Sequence, residues 1–204
     1  MRCIFLSASV LLIAISTYAQ TGNSPQPCKL KLSEAPAVRG VKLGMMADEL
    51  FPLFSSGSEA SARIKQNLSA AEGYSNFGYA NLGLNLSDAA NKEQFAGINA
   101  MRVSTFDRRI VVLGVQYDQF PKGARWKNSD DLIQRFSDAF HFPGPKEWVN
   151  DPDSNHKKLV CAGFDVFVSA GDQAGIVFVN RDWQQTQKDR AAAFEDQRRH
   201  EFKP

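Results

Sequence analysis

The segment from Ile98 to Tyr117 constrains the fold more than any other. Met101, Val103 and Thr105 alternate with their neighbours, and Phe106-Asp107-Arg108-Arg109 supplies a turn. Ile110-Val111-Val112-Leu113-Gly114-Val115-Gln116-Tyr117 then runs back. Alternating, β-branched runs about a short polar turn make a β-hairpin. The returning strand is apolar on both faces from Ile110 to Leu113, so it belongs near the centre of a sheet with something covering it. Gly114 leaves room there for a close neighbour or a bulge.

A second hairpin is expected further on. Along Leu159–Val168, Phe164, Val166 and Val168 point one way and Asp165 and Phe167 the other. Ala170-Gly171-Asp172-Gln173 then turns the chain into Gly175-Ile176-Val177-Phe178-Val179. Between the hairpins lies a helix. Ser129 serves as its N-cap, Asp130 and Asp131 favour its first turn, and Leu132, Ile133, Phe136, Ala139 and Phe140 form one apolar face. His141 ends it, where a cation suits the dipole, and Pro143-Gly144-Pro145 stops it. Trp126 and Trp148 are placed to pack at its two ends.

The N-terminal half is less regular. Val38 to Leu43 reads as a short strand, and Ala47-Asp48-Glu49-Leu50-Phe51 starts a short helix that Pro52 and Ser55-Ser56-Gly57-Ser58 limit. Ala62 to Lys65 alternates like a strand, while Ser58 to Ala71 reads equally as a polar helix. Asn81 to Leu86 is a half-buried strand. Gly73 to Tyr79 is a glycine-aromatic loop, either a lid on the core or a contact surface. The acidic start and apolar rhythm of Ala47–Phe54 are echoed at Asp130–Phe136. The pattern predicts an α+β fold, an antiparallel sheet of about five to seven strands with helices packed on one face.

The ends differ in kind from this body. Arg2 precedes the apolar run Ile4–Ile15, and Thr17-Tyr18-Ala19 offers a cleavage site, so residues 1–19 read as a signal peptide. The run falls short of the roughly 20 apolar residues of a membrane helix. Removing 19 of 204 residues leaves 185, divided into a Pro-rich linker (20–37), one α+β domain (38–181) and a charged helical or frayed tail (182–204). Glu195 is spaced to pair with Arg198 and Arg199 in that tail, with Asp182 as its cap. The tail is either solvated or a docking arm. Cys3 leaves with the signal. It also precedes the apolar run, unlike a lipid-modified cysteine, so no membrane anchor is expected after cleavage. Cys28 and Cys161 are an even pair bound for an oxidising compartment, either bridged or two free thiols. The expected location is the periplasm or the outside of the cell.

Composition narrows the function without naming it. Hydrophobic residues make up 43% and aromatics 11%, with 15 Phe, which implies a folded, Phe-rich core. Twenty-four Lys and Arg against 22 Asp and Glu, without a like-charge run, leave no footprint for nucleic acid. His141, His156 and His200 lie in no metalloprotease motif, and neither a nucleophile elbow nor a phosphate-binding glycine loop occurs. No catalytic residue and no cofactor is assigned. Asp151-Pro152-Asp153-Ser154-Asn155-His156 opens like a calcium loop, but His156 replaces the required glycine and Ala162 the bidentate glutamate, so it reads as a polar turn and no metal site is assigned. Asp107, Arg108 and Arg109, with Lys122 and Arg125, could form a small basic patch.

Val38-Arg39-Gly40-Val41-Lys42-Leu43-Gly44-Met45 before an acidic-start helix resembles the opening of an uncharacterised family of small secreted bacterial α+β proteins. The Phe106–Arg109 turn, the Trp126–Trp148 unit and the terminal Glu201-Phe202-Lys203-Pro204 resemble it too. The helix-then-hairpin layout is more remotely similar to β-lactamase-inhibitor-protein-like modules and to small outer-membrane assembly lipoproteins, though the lipid-attachment cysteine of the latter is missing. The resemblance supplies no catalytic residues. The expected function is an exported, non-enzymatic module that binds a protein or envelope component. The alternatives are a hydrolase using Asp and Glu residues and a carrier of a small apolar ligand. A concave pocket with converging titratable groups favours the hydrolase, a deep apolar cavity the carrier, and an uncovered sheet face the binder. Oligomeric state is left open.

Overall fold

The computed structural model describes residues 28–54, 58–71, 78–118, 128–169 and 174–201. The signal peptide, Trp126, Lys122, Arg125, most of the glycine-aromatic loop and the Ala170–Gln173 turn therefore lie outside the described residues. Those described form an α+β fold around one seven-stranded antiparallel sheet. Its strands are β1 (Tyr79–Leu84), β2 (Ile98–Phe106), β3 (Arg109–Tyr117), β4 (Val149–Asn150), β5 (Lys157–Val160), β6 (Phe164–Ser169) and β7 (Gly175–Asn180). Their spatial order is β1-β2-β3-β7-β6-β5-β4. Two meanders thus meet at the β3–β7 pair, one winding inward from each edge.

The expected hairpin is β2–β3. Asp107 and Arg108 turn it with φ of 49° and 61°, the left-handed pair of a type I′ turn that suits the strand twist. Ser104 pairs with Val112 and Thr105 with Ile110, so Val111 is an extra residue in β3. This bulge resets the alternation and swings Ile110 into the core, where it is fully buried. The second hairpin begins later than expected. Leu159–Val168 is two strands, because the chain breaks at Cys161-Ala162-Gly163 with Gly163 at φ 98°, and β5 folds back on β6.

One face of the sheet is the core. Across the register it presents Leu82, Val103, Leu113, Phe178, Val166 and Leu159, none more than 1% exposed. Helix α1 (Glu59–Ala71) adds Ala60, Ile64 and Leu68 to this cluster, so the Ala62–Lys65 alternation is helical here. Helix α2 (Ser129–Phe140) carries the chain from β3 toward the far edge and lays Phe140 edge-on to Phe178, centroids 6.2 Å apart. Its N-cap is Asn128, not Ser129: the Asn128 side chain accepts the Asp131 N–H at 2.9 Å. Ser137 takes the buried place expected of Ala139, donating its hydroxyl to Pro143 O at 2.8 Å. His141 caps the helix in the left-handed conformation, and Trp148 packs at that end against Phe142.

The segment ahead of the sheet is a wrap in which the expected strand does not form and the expected short helix is a 3-10 helix. Val38 and Val41 bridge across an Arg39-Gly40 turn, and Ala47–Leu53 is a 3-10 helix that contains Pro52. Residues 28–37, expected as linker, are packed into the domain. Ala35 is buried, Lys31 bridges to Ala162, and Cys28 forms a disulfide with Cys161 across 133 positions. The C-terminal helix α3 (Asp182–Glu201) runs 20 residues without one buried side chain. No described helix is long and apolar enough to cross a membrane.

Candidate functional site

Alternation along each strand gives the sheet a second face with different chemistry. Its middle row, in register with the core rows, reads Gly83, Arg102, Gly114, Val177, Phe167 and Lys158. At one end this face is closed by α3. The Trp183 indole stacks on the Tyr79 ring at 5.1 Å and tilts against Phe106 at 6.0 Å. Arg190 lies over Phe106 at 4.7 Å and forks onto both carboxylate oxygens of Asp107, at 2.7 and 2.6 Å. The Tyr79 and Ser104 hydroxyls share Asn81 Oδ1 as acceptor, at 2.8 and 2.7 Å. Gly78, at φ 85°, is required there, because a Cβ would come within 2.5 Å of Asp107 Oδ1.

Beyond that end the face opens to solvent. Val112, Val177, Val179 and Phe167 are only half-buried, in contrast to their neighbours on the core side. Small residues set the floor: Ala100, Gly114 and Gly175 leave a depression of about 220 Å³. Phe167 and Val177 give it apolar walls, while Arg102, Gln116, His156 and Ser169 supply polar groups around it. At Gly114 a Cβ would meet only ordinary contacts, 3.8 Å from Val177 and 3.9 Å from Arg102 O, so space and not backbone geometry distinguishes this position.

The charges here are unevenly satisfied. Asp165, 5% exposed, is held between Lys158 Nζ at 2.9 Å and Arg181 Nε at 3.4 Å, and the Arg181 guanidinium also donates to Cys161 O. Lys158 additionally sits 5.2 Å from the centre of the Phe167 ring. A buried carboxylate is tolerated when paired in this way. Arg102 has no hydrogen bond or ion pair among the described residues, and its partners on both neighbouring strands, Gly83 and Gly114, have no side chain to offer one.

A wider surface depression of about 740 Å³ lies beside the disulfide. It gathers Lys29, Glu34, His141 and Glu147. The Glu34 carboxylate is already used, accepting the Lys31 N–H at 2.8 Å. Glu147 Oε2 is buried without a hydrogen-bond partner among the described residues. No hydrogen bond among the described residues joins His141 to a carboxylate or a hydroxyl.

The sequence-predicted features fall elsewhere. The Asp151–His156 turn links β4 to β5 and satisfies itself: Asp151 N donates to His156 O at 2.9 Å, and the Ser154 hydroxyl donates to the Asp151 carboxylate. No metal-holding group of three His, Cys, Asp or Glu side chains occurs among the described residues. At the β2–β3 turn Arg108 pairs with Asp48 at 2.6 Å and Arg109 donates to Gly44 O at 3.2 Å, while Lys122 and Arg125 of the expected basic patch lie outside the described residues. Arg102, Phe167 and Gly175 were not singled out in the sequence, because only the cross-strand register sets Arg102 between Gly83 and Gly114. Comparison with family models, curated proteins and solved structures gives no match for this chain.

Proposed function

We propose that the chain is an exported, non-enzymatic module that binds a protein or an envelope component through the open face of its sheet. The observation that carries this reading is the half-buried Val112, Val177, Val179 and Phe167 beside Arg102, which has no ion pair among the described residues, an arrangement of contact surface and not of a reaction centre. Export is supported by the N-terminal leader pattern and by the Cys28–Cys161 disulfide, which persists in an oxidising compartment.

Site-specific photo-crosslinking in cells that produce the protein tests it. A photoreactive residue at Val177 is expected to capture a discrete partner, and one at Lys42, in the wrap ahead of the sheet, is not. Capture from Gln197 on α3 alone would replace the open face with the docking-arm reading. A hydrolase reading has one observation in its favour, the unpartnered Glu147 Oε2 in a depression shared with His141. Hydrolysis of a peptide, ester or glycoside substrate that disappears in Glu147→Gln would establish it.

A further inference from the structure

We infer that the depression on the open face is the seat for a carboxylate-bearing side chain of a protein partner, with Arg102 as its charge partner. This rests on the binding-module reading above and assigns the chemistry of what binds. Three observations converge. On this face beyond the α3 end, Arg102, Lys158 and Arg181 are cations, and among the described residues the buried carboxylate of Asp165 is ion-paired with Lys158 and Arg181 but not with Arg102. Arg102 sits between two glycines in the register, so its fork has lateral space and no competing acceptor among the described residues. The depression holds about 220 Å³, about seven waters' worth of space at about 30 Å³ each, below the usual range of small-molecule pockets. That is the size of an anchoring side chain, with Phe167 and Val177 beside it to receive an apolar neighbour.

An arginine that meets a carboxylate across a partly apolar floor makes a charge-assisted, bidentate contact, stronger than the same contact to an amide. The extended edge of a partner strand or loop presents such a residue with an apolar side chain two positions away on the same side. An acidic-apolar segment therefore fits both halves of the site.

The test uses protein purified after expression of the full 204-residue chain, isotopically labelled for NMR. Three probes are titrated: a capped pentapeptide alternating Glu and Phe, its Gln-for-Glu counterpart, and benzoate as a small carboxylate. The Glu peptide is expected to shift the amide signals of Ala100, Gly114 and Gly175, and to bind about tenfold or more tighter than the Gln peptide. Arg102→Gln is expected to remove that preference, with Arg102→Lys restoring part of it. Gly114→Phe, which fills the floor, is expected to abolish binding of both peptides. Equal binding of the Glu and Gln peptides at these amides overturns the carboxylate assignment but leaves the open face as the binding surface. Benzoate binding as tightly as the Glu peptide replaces the protein partner with a small ligand. A Glu peptide that shifts none of these amides overturns the inference outright, and Val177 crosslinking then decides separately whether the face binds anything.

Discussion

The two faces of this sheet are built from the same strands, one residue out of step. On one face Leu82, Val103, Leu113, Phe178, Val166 and Leu159 are at most 1% exposed; on the other, Gly83, Arg102, Gly114, Val177, Phe167 and Lys158 occupy the adjacent row. The first row is large and uniform because two helices cover it. The second mixes glycines, cations and half-exposed apolar groups because it has no described helix over its centre. A face whose only task is to be solvated has no need of a floor of glycine and alanine beside an aromatic wall. The difference teaches that strand parity separates a covered core row from a row that the proposed function would use for recognition.

Neighbouring residues on β7 offer the sharpest way to break that comparison. Phe178→Ala removes a fully buried ring that touches Phe140 and Phe142, and is expected to destabilise by about 3–5 kcal/mol in denaturant unfolding. Val177→Ala, one residue away on the open face, is expected to change stability by about 1 kcal/mol or less. Similar losses from the two would mean the open face is a second core. Next in size is the disulfide, which pins the start of the wrap to the β5–β6 corner. Replacing Cys28 and Cys161 by Ser is expected to cost about 2–5 kcal/mol, read from the unfolding midpoint with the native chain in oxidising buffer as reference.

The core face was legible in the sequence because burial imposes a period. The alternation through Met101, Val103 and Thr105 and the rhythm through Leu132, Ile133 and Phe136 both survive in the structure. Where the sequence misled, local backbone geometry outweighed composition. Val38–Leu43 has the residues of a strand, but Arg39 and Gly40 at φ 54° and 90° turn it back on itself. Leu159–Val168 has the period of one strand, but Gly163 and the bridged Cys161 fold it into two. The Pro-rich arm looks like linker until Cys28 is known to be tied down. The candidate site was harder still. Arg102 and Phe167 are ordinary outward-facing strand residues until the structure shows that glycine flanks one of them and no described helix covers the other.

A smaller, pH-dependent effect separates the rim of the core from the open side. Tyr117 leans on Phe136 at 5.6 Å, and burial pushes its phenol from 10.0 up to about 12, with the Arg39 charge acting the other way. The folded chain thus holds the proton more tightly than the unfolded one. Tyr117 contributes full stability below pH 10, and that contribution is lost as pH rises from 10 to about 12. The native protein is expected to lose more stability than Tyr117→Phe between pH 9 and 11.5 in urea titrations. Parallel losses would show that the phenol is not protected.

The smallest effect tests how α3 is held. Its attachment depends on the Trp183–Tyr79 stack and on the Arg190 fork to Asp107, because none of its residues is fully buried. Both ends of that fork are close to half-exposed, where an ion pair contributes about 0–1 kcal/mol. Asp107→Asn is therefore expected to leave global unfolding within about 1 kcal/mol of the native chain. Amide exchange along α3 should nevertheless accelerate, since local opening samples free energies far below the global value. Trp183→Ala should accelerate it further by removing the stack. If both variants leave α3 exchange unchanged, the helix is fixed by something other than this clasp. If exchange rises in α3 while the Gly114 and Gly175 amides keep their native shifts, the clasped and bare ends of the open face are independent. The half proposed to receive a carboxylate would then need no help from the C-terminal helix.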